Sequence, residues 1–136
     1  MNGIESEVLQ AENALLGYLG IAEVLKGVSM HLNSPDYRNI WNGEVKTYDD
    51  LRSRIATAID NGLASIDYQV ASRDISILDS SKVLVTLEAT ETTHMKNGDS
   101  KTSAITVISI LWRKIDGKWW VGYLHASEEP IHQRAA

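Results

Sequence analysis

The sequence predicts an α+β fold in which N-terminal helices are wrapped by a curved antiparallel (mixed) sheet. In the first half of the chain, apolar residues recur at three- and four-residue spacing, which is the pattern of amphipathic helices. In the second half, apolar and polar residues alternate, which is the pattern of strands. Strands this long must curl to hide their inner face, so we expect a cone-shaped interior within a single domain, residues 1–136.

The helices are predicted from apolar periodicity and from capping residues. The first helix begins near the N-terminus, and Gly27 is expected to end it. "YRNIWNGEVKT" follows and predicts a short strand with a turn at Asn42–Gly43. The second helix begins at Thr47, whose hydroxyl can form a capping box with Asp50, and it ends at Asn61–Gly62.

Four strands follow, separated by the turn sequences "DSS", "KNGD" and "DG". A bulge is expected in the first of them, near Ser72. The predicted strands cover residues 66–77, 83–90, 105–115 and 118–127.

Composition excludes or disfavours several classes of function. The chain has no cysteine, which excludes disulfides, thiolate nucleophiles and zinc–thiolate sites. The net charge of −5 and the lack of a Lys/Arg cluster disfavour nucleic acid as a partner. The apolar runs are too short to span a bilayer, and the N-terminus does not resemble a secretory signal, so we expect a cytoplasmic protein with no membrane partner. The four histidines lack metal-ligand spacing, so neither a metal nor another cofactor is expected.

The segment "RKIDGKWWVGYLHASEEP" resembles the closing hairpin of the nuclear transport factor 2-like superfamily. It is most similar to the SnoaL-like branch and to the association (hub) domain of calcium/calmodulin-dependent kinase. In those families a basic pair, an Asp-Gly turn, a Trp, a His-x-Ser and a Pro follow one another in this register. The matching positions are Arg113–Lys114, Asp116–Gly117, Trp119, His125, Ser127 and Pro130. The resemblance implies the fold but not the function, because the superfamily includes isomerases, hydrolases, dehydratases, cyclases, and binding or assembly domains.

Alternation along the last strand, read with this resemblance, predicts which residues face a conical pocket. Trp120, Gly122, Leu124 and Ala126 would point inward, and Trp119 and its alternates outward. The hub domain's pocket arginines correspond to apolar residues here, which favours an apolar or aromatic ligand over an anion. The alternative is that these side chains simply fill the interior. The predicted ligand-binding residues are Trp41, Tyr68, Leu87, Ala89, Ile110, Trp112, Trp120 and Leu124.

Three residues are candidates for catalysis. Alternation along its strand predicts that Glu91 faces inward, where desolvation would raise its pKa and suit it to acid–base chemistry. The alternative is that Glu91 is a solvated residue at the end of the strand. Resemblance to steroid isomerase-like members suggests Tyr18 as a hydrogen-bond donor. The general base of those members lies on the first strand, which has no acid here, so Asp36 just before it or Glu44 just after it would lie at the mouth.

Resemblance to limonene epoxide hydrolase-like members suggests a second catalytic arrangement, an Asp–Arg–Asp set around a water. Asp67, Arg73, Asp74 and Arg113 supply the residue types, although alternation turns Asp67 away from the pocket.

The outer face of the predicted sheet indicates self-association. Its apolar patch predicts a homodimer through this face, and His125 is expected to be a packed histidine there. Three hypotheses therefore stand: a small-molecule binding protein with an apolar pocket, an isomerase, hydrolase or cyclase acting on an apolar molecule, and an oligomerisation domain. The patch comprises Ile105, Val107, Leu111, Trp119, Val121 and Tyr123.

Overall fold

The computed structural model describes residues 3–130 as helices packed against one face of a large sheet. The predicted α+β class is confirmed. The helices are α1 (Gly3–Gly20), α2 (Val24–Val28) and α3 (Tyr48–Asp60), and the strands are β1 (Arg38–Trp41), β2 (Glu44–Lys46), β3 (Leu63–Asp79), β4 (Lys82–Met95), β5 (Ser100–Ile115) and β6 (Lys118–Pro130).

The sheet is curved, mixed and not closed into a barrel. Its strand order is β2-β1-β6-β5-β4-β3, and consecutive neighbours are antiparallel except β1 and β6, which run parallel. On β4 the inward residues Val83, Val85, Leu87 and Ala89 are all buried. This alternation gives the sheet one apolar face against the helices.

Local signals place most element boundaries. Thr47 caps α3 through its side chain, and the Asp50 carboxylate accepts from the Thr47 N–H, which completes the predicted capping box. Asn42 and Gly43 both have positive φ in the turn between β1 and β2. Asn61 is the C-cap of α3, and Gly62 follows it in the left-handed region with φ 107°.

The N-terminal helix is shorter than the periodicity predicts. It ends at Gly20, Ala22 adopts a positive φ of 66°, and a separate short helix continues to Val28. Glycine is a poor helix former, and a Cβ at Gly20 would lie 2.9 Å from the carboxylate of Asp67. The helix therefore breaks where α1 comes close to β3.

Register shifts interrupt the long strands at five places in the described part of the chain. The bulge predicted near Ser72 is confirmed, because the β3–β4 register shifts between Val70 and Ser72. A bulge that was not predicted lies at Gly122, which is skipped between the pairs Leu111–Tyr123 and Trp112–Val121. The bulge at Gly122 changes which residues of β6 face the interior. Within residues 3–130, none of the helices combines the length and the apolar character that a membrane crossing requires.

Candidate functional site

A cavity of about 340 Å³ lies between the helices and the inner face of the sheet. Most of its wall is aliphatic, so the interior of the fold is not completely filled by side chains. The apolar lining comprises Leu15, Leu16, Leu19, Val24, Val28, Leu51, Ile55, Ala58, Leu63, Ile66, Leu87, Ile108, Ile110 and Leu124.

Tyr68 and Glu91 form a hydrogen-bonded pair in the cavity wall. They are direct cross-strand partners on β3 and β4, and the Tyr68 hydroxyl donates to Glu91 Oε2. Burial is the main cause that raises the pKa of Glu91 above its ordinary value; the Tyr68 hydrogen bond lowers it, and the nearby Glu128 raises it again. Burial, together with Glu91, raises the pKa of Tyr68 well above 10. The pair therefore places a proton donor and an acceptor of unusual acidity beside the cavity.

Trp41 and Glu128 form a second polar pair in the wall. The parallel pairing of β1 with β6 brings the end of β1 beside the end of β6, and Trp41 Nε1 donates to Glu128 Oε1 over 2.8 Å. The Glu128 N–H also donates to the side chain of Asn42 over 2.7 Å, which fixes this strand end. The cavity is thus bordered by two carboxylates, each holding a neutral donor.

A third polar group lies on the helix side. His31 and Asn39 line the cavity, and both approach the hydroxyl of Tyr37: His31 Nδ1 is 2.5 Å and Asn39 Nδ2 is 3.2 Å from it. All three residues are buried. Burial lowers the pKa of His31 to about 4 and raises that of Tyr37 above its ordinary range, so both are neutral near pH 7.

The opposite end of the interior is packed rather than open. Trp112 is fully buried, and the indole N–H of Trp119 donates to Glu7 Oε1 of α1 over 3.0 Å. Glu12 of α1 is also fully buried, with Arg73 Nε 2.5 Å from its Oε2. Burial raises the pKa of Glu12, and Arg73 opposes that shift. These residues stabilise the fold at the end away from the cavity.

Most of the predicted ligand-binding residues lie at the cavity. Of the predicted set, Trp41, Tyr68, Leu87, Ile110 and Leu124 line it, as does the catalytic candidate Glu91. A role for any of them in binding or catalysis stays a prediction.

Ala89 and Trp112 face the interior as predicted but are not among the residues that line the cavity. Trp112 belongs to the packed end instead. The predicted inward direction of Trp112 is confirmed. Its position gives no support to the prediction that it contacts a ligand.

The prediction that Trp120 faces the interior and Trp119 the outside is wrong. The bulge at Gly122 reverses the alternation on its N-terminal side, so Trp119 and Val121 are buried inside, while Trp120 lies outside with Lys118 Nζ 4.2 Å from its ring centre. A Cβ at Gly122 would lie 2.5 Å from the Arg113 side chain, which explains why glycine occupies this position.

The reversal stops at the bulge. Leu124 and Ala126 keep the predicted inward direction and are buried, and Tyr123 and His125 keep the outward one. His125, expected to be packed, is exposed on the outer face.

Asp36 and Tyr18 are not among the residues that line the cavity, and their catalytic roles stay predictions. Asp36 precedes β1, whose first residue pairs with Tyr123; the cavity borders the other end of β1, so Asp36 is exposed beside an outer-face depression instead. Tyr18 is half-buried on α1, where Lys26 Nζ lies 4.7 Å from its ring centre. Glu44 is exposed and forms a 3.7 Å ion pair with Arg54 of the cavity lining.

The Asp–Arg–Asp arrangement is not assembled. Asp67 is exposed and bonded to His94 over 2.7 Å, and Asp74 is exposed, whereas Arg73 points inward to Glu12. Arg113 lies on the outer face over Gly122. Among the side chains that the structure describes, residues 3–102 and 106–128, no three His, Asp or Glu come together as a metal site would require.

Five polar residues that were not predicted to line the cavity also lie in its wall: His31, Asn39, Arg54, Thr93 and Glu128. Glu128 had a usable signal, because it continues the alternation of Leu124 and Ala126. His31 lies outside the named strands, where periodicity carries no information about direction.

Comparison with known proteins agrees with this architecture. Residues 28–132 match the model of the SnoaL-like domain family. The chain has no match among curated protein sequences.

Several solved structures share the fold at low identity. An NTF2-like superfamily protein from Salmonella enterica serovar Typhimurium LT2 superposes with a TM-score of 0.76 at 14% identity, over 92% of this chain and 90% of that one. An NTF2-like protein from Cytophaga hutchinsonii superposes with a TM-score of 0.74 at 16% identity, over 95% of this chain and 100% of that one. An NTF-2 like protein of unknown function from Shewanella oneidensis MR-1 superposes with a TM-score of 0.69 at 16% identity, over 90% of this chain and 98% of that one.

These likenesses establish the fold, and the family match covers well over half of the sequence, from α2 to beyond β6. The chain belongs to the SnoaL-like domain family, and it has the fold of NTF2-like proteins.

Proposed function

We propose that this protein binds a small apolar molecule in the cavity and that the polar groups of the wall, Tyr68, Glu91 and His31 among them, orient it. The observation that carries the proposal is the contrast within one wall: aliphatic side chains from three helices and four strands surround the space, and a few polar groups converge on it. A volume of about 340 Å³ falls in the range of roughly 300–1,000 Å³ typical of small-molecule sites.

Affinity for such a ligand would come mainly from the apolar wall. Burial of apolar surface contributes about 25 cal/mol per Å². The neutral donors Tyr68 and Trp41 are already bonded to Glu91 and Glu128, so a ligand competes with those bonds and gains little from them. The polar pairs would therefore orient the ligand more than hold it.

Trp41 offers a direct readout of binding. It lines the cavity, whereas Trp120 lies on the outer face and is not among the lining residues. We expect limonene or menthol, which do not absorb with tryptophan, to change the tryptophan emission saturably and with one site per chain. Trp41→Phe should remove that change, and the matched variant Trp120→Phe should keep it.

Calorimetry with the same ligands decides the outcome. No saturable heat with the unmodified protein would contradict the proposed function. An emission change that survives in Trp41→Phe and disappears in Trp120→Phe would place the binding site on the outer face instead.

The second candidate is an enzyme that uses Glu91 as acid or base, of the isomerase, hydrolase or cyclase kind. The observation in its favour is a carboxylate of raised pKa beside an apolar cavity. Acting as a base, Glu91 would take a proton from the carbon next to a carbonyl and return a deuteron in D2O. If the wild type incorporates deuterium into cyclohexanone faster than Glu91→Gln does, the result supports the enzyme hypothesis. Equal rates for the two proteins would favour the binding hypothesis.

Self-association through the outer sheet face also remains a proposal. The residues that support it are Val107, which is 39% exposed, and the half-buried Leu111 and Tyr123. Trp119 and Val121 no longer belong to the patch, and the side chain of Ile105 lies outside those described.

Sedimentation of the wild type should give a dimer, and Val107→Asp should give a monomer. A monomeric wild type would contradict self-association through this face. Both a cytoplasmic location and the absence of nucleic-acid and membrane partners stay predictions.

A further inference from the structure

The hydrogen bonds around Tyr37 determine which nitrogen of His31 carries its proton. Tyr37 is 0% exposed, and its hydroxyl lies 3.2 Å from Asn39 Nδ2 and 2.5 Å from His31 Nδ1. An amide nitrogen can only donate, so Tyr37 accepts from Asn39. Among the residues that the structure describes, the acceptor for its single hydroxyl proton is Nδ1 of His31.

The opposite arrangement is unfavourable. If His31 donated from Nδ1, the Tyr37 hydroxyl would accept twice and its own proton would be buried without a partner, which costs free energy of folding. With Nδ1 as acceptor, a neutral imidazole carries its proton on Nε2. Burial lowers the pKa of His31 to about 4, so the ring is neutral near pH 7.

The position of the ring directs that Nε2–H toward the cavity. His31 and Asn39 are lining residues, and Tyr37, within the described part of the chain, is not. The Nδ1 edge of His31 points to Tyr37, behind the wall, so the edge that carries Nε2 faces the cavity. Most of the cavity wall is aliphatic, and Val28, whose carbonyl accepts from the His31 N–H over 2.9 Å, is one of its lining residues.

We propose that His31 is a binding residue that donates a hydrogen bond from Nε2 to a carbonyl oxygen of the ligand, so that the cavity selects apolar ketones over hydrocarbons of the same shape. This inference rests on the proposed function and names the chemical class of its ligand. Tyr37 and Asn39 act through His31 as positioning residues. A buried neutral donor of fixed tautomer discriminates because a ligand without an acceptor leaves it unpaired.

The tautomer is testable in the unmodified protein without any ligand. Long-range ¹H–¹⁵N spectra between pH 6 and 8 should show His31 with a protonated Nε2 and an unprotonated Nδ1. Tyr37→Phe removes the donor and should produce a mixture of tautomers. The ring of Tyr48 packs edge-on against the ring of Tyr37, with 6.2 Å between the ring centres. Tyr48→Phe keeps that ring, removes only its hydroxyl and should leave the tautomer of His31 unchanged. A protonated Nδ1 in the wild type would overturn the proposal.

Selectivity is tested with a matched pair of probes, 4-tert-butylcyclohexanone and its analogue in which C=CH2 replaces C=O. Calorimetry should show the ketone binding about tenfold more tightly to the wild type, as expected for one buried hydrogen bond. The ratio should fall toward one in His31→Phe and stay about tenfold in Tyr48→Phe. Equal affinities in the wild type would overturn the role of His31 and leave the proposed function intact. Binding of neither probe would contradict both, with the tautomer still settled separately by the spectra.

Discussion

At one end of the sheet's inner face Trp112, Trp119 and Val121 pack against α1, whereas at the other end Tyr68 and Glu91 border a cavity. The same strands supply both ends. The helices differ: α1 has fully buried residues on its inner side, and α3, which covers the open end, has none. The interior is therefore filled where a helix packs directly on the sheet and open where α3 borders the cavity.

The comparison also separates two kinds of polar group. Glu12 and Arg73 lie opposite each other at the filled end, and their role is structural because they meet one another. Glu91 and Glu128 at the open end meet neutral donors, Tyr68 and Trp41, and keep a face toward the cavity. A buried charge that meets its counter-ion is accounted for within the fold, whereas carboxylates that border a cavity are candidates for a functional site.

The largest expected effect separates the two tryptophans at the Gly122 bulge. Trp119→Ala should lower the free energy of unfolding by about 3–5 kcal/mol, because it leaves a cavity at the filled end and removes the hydrogen bond to Glu7. Trp120→Ala on the outer face should change it by about 0.5 kcal/mol or less. Urea unfolding of both variants checks this, and equal losses would show that the bulge does not reverse the strand.

A smaller effect is expected from His31 at the open end. Its pKa is about 4 in the folded protein and 6.5 when unfolded, so between these values the unfolded state binds more protons. Stability present at pH 7 is therefore lost as the pH falls from 6.5 to 4, by about 3 kcal/mol at most.

Urea unfolding as a function of pH measures this loss. The wild type should lose this stability between pH 6.5 and 4, and His31→Gln should not lose it. His125→Gln, which changes an exposed histidine, is the control and should behave like the wild type. An identical pH dependence for the wild type and His31→Gln would mean that the imidazole is not held neutral.

Glu91 should give the smallest effect, with the opposite sign. Its pKa is raised in the folded protein, so the folded state binds more protons above pH 4.5, and its contribution to stability decreases as the pH rises. Glu91→Gln should remove that decrease and make the variant slightly more stable than the wild type at pH 7. Thermal unfolding of both proteins at pH 5 and pH 7 measures the stability of the variant relative to the wild type. That relative stability should increase from pH 5 to pH 7, and a decrease would contradict a raised pKa of Glu91.

Much of the architecture could be predicted because its signals are local. The capping box at Thr47, the Asn42–Gly43 turn and the alternation along β4 each depend on residues close together in sequence. The inward direction of Glu91 followed from the same alternation. The break after Gly20 was not predicted, and the close approach of Asp67 to Gly20 joins residues that are distant in sequence.

The site was predicted less completely, for two physical reasons. A bulge changes the parity of every residue on one side of it, and a glycine inside a strand, here Gly122, was the only warning. His31 lies outside the strands and contacts Tyr37 only in the folded chain, so alternation could not give its direction. Asn39 could have been predicted, because it shares the face of Trp41 on β1.

The most direct test of the account is a crystal structure of the protein soaked with bromobenzene, with the bromine located by its anomalous signal. An open, apolar interior predicts bromine inside the cavity, in contact with Leu87, Ile110 and Leu124. It also predicts none between Trp112 and Trp119, where the interior is packed. Bromine found only on the outer face near Trp120, or none at all, would contradict an apolar binding cavity at the open end.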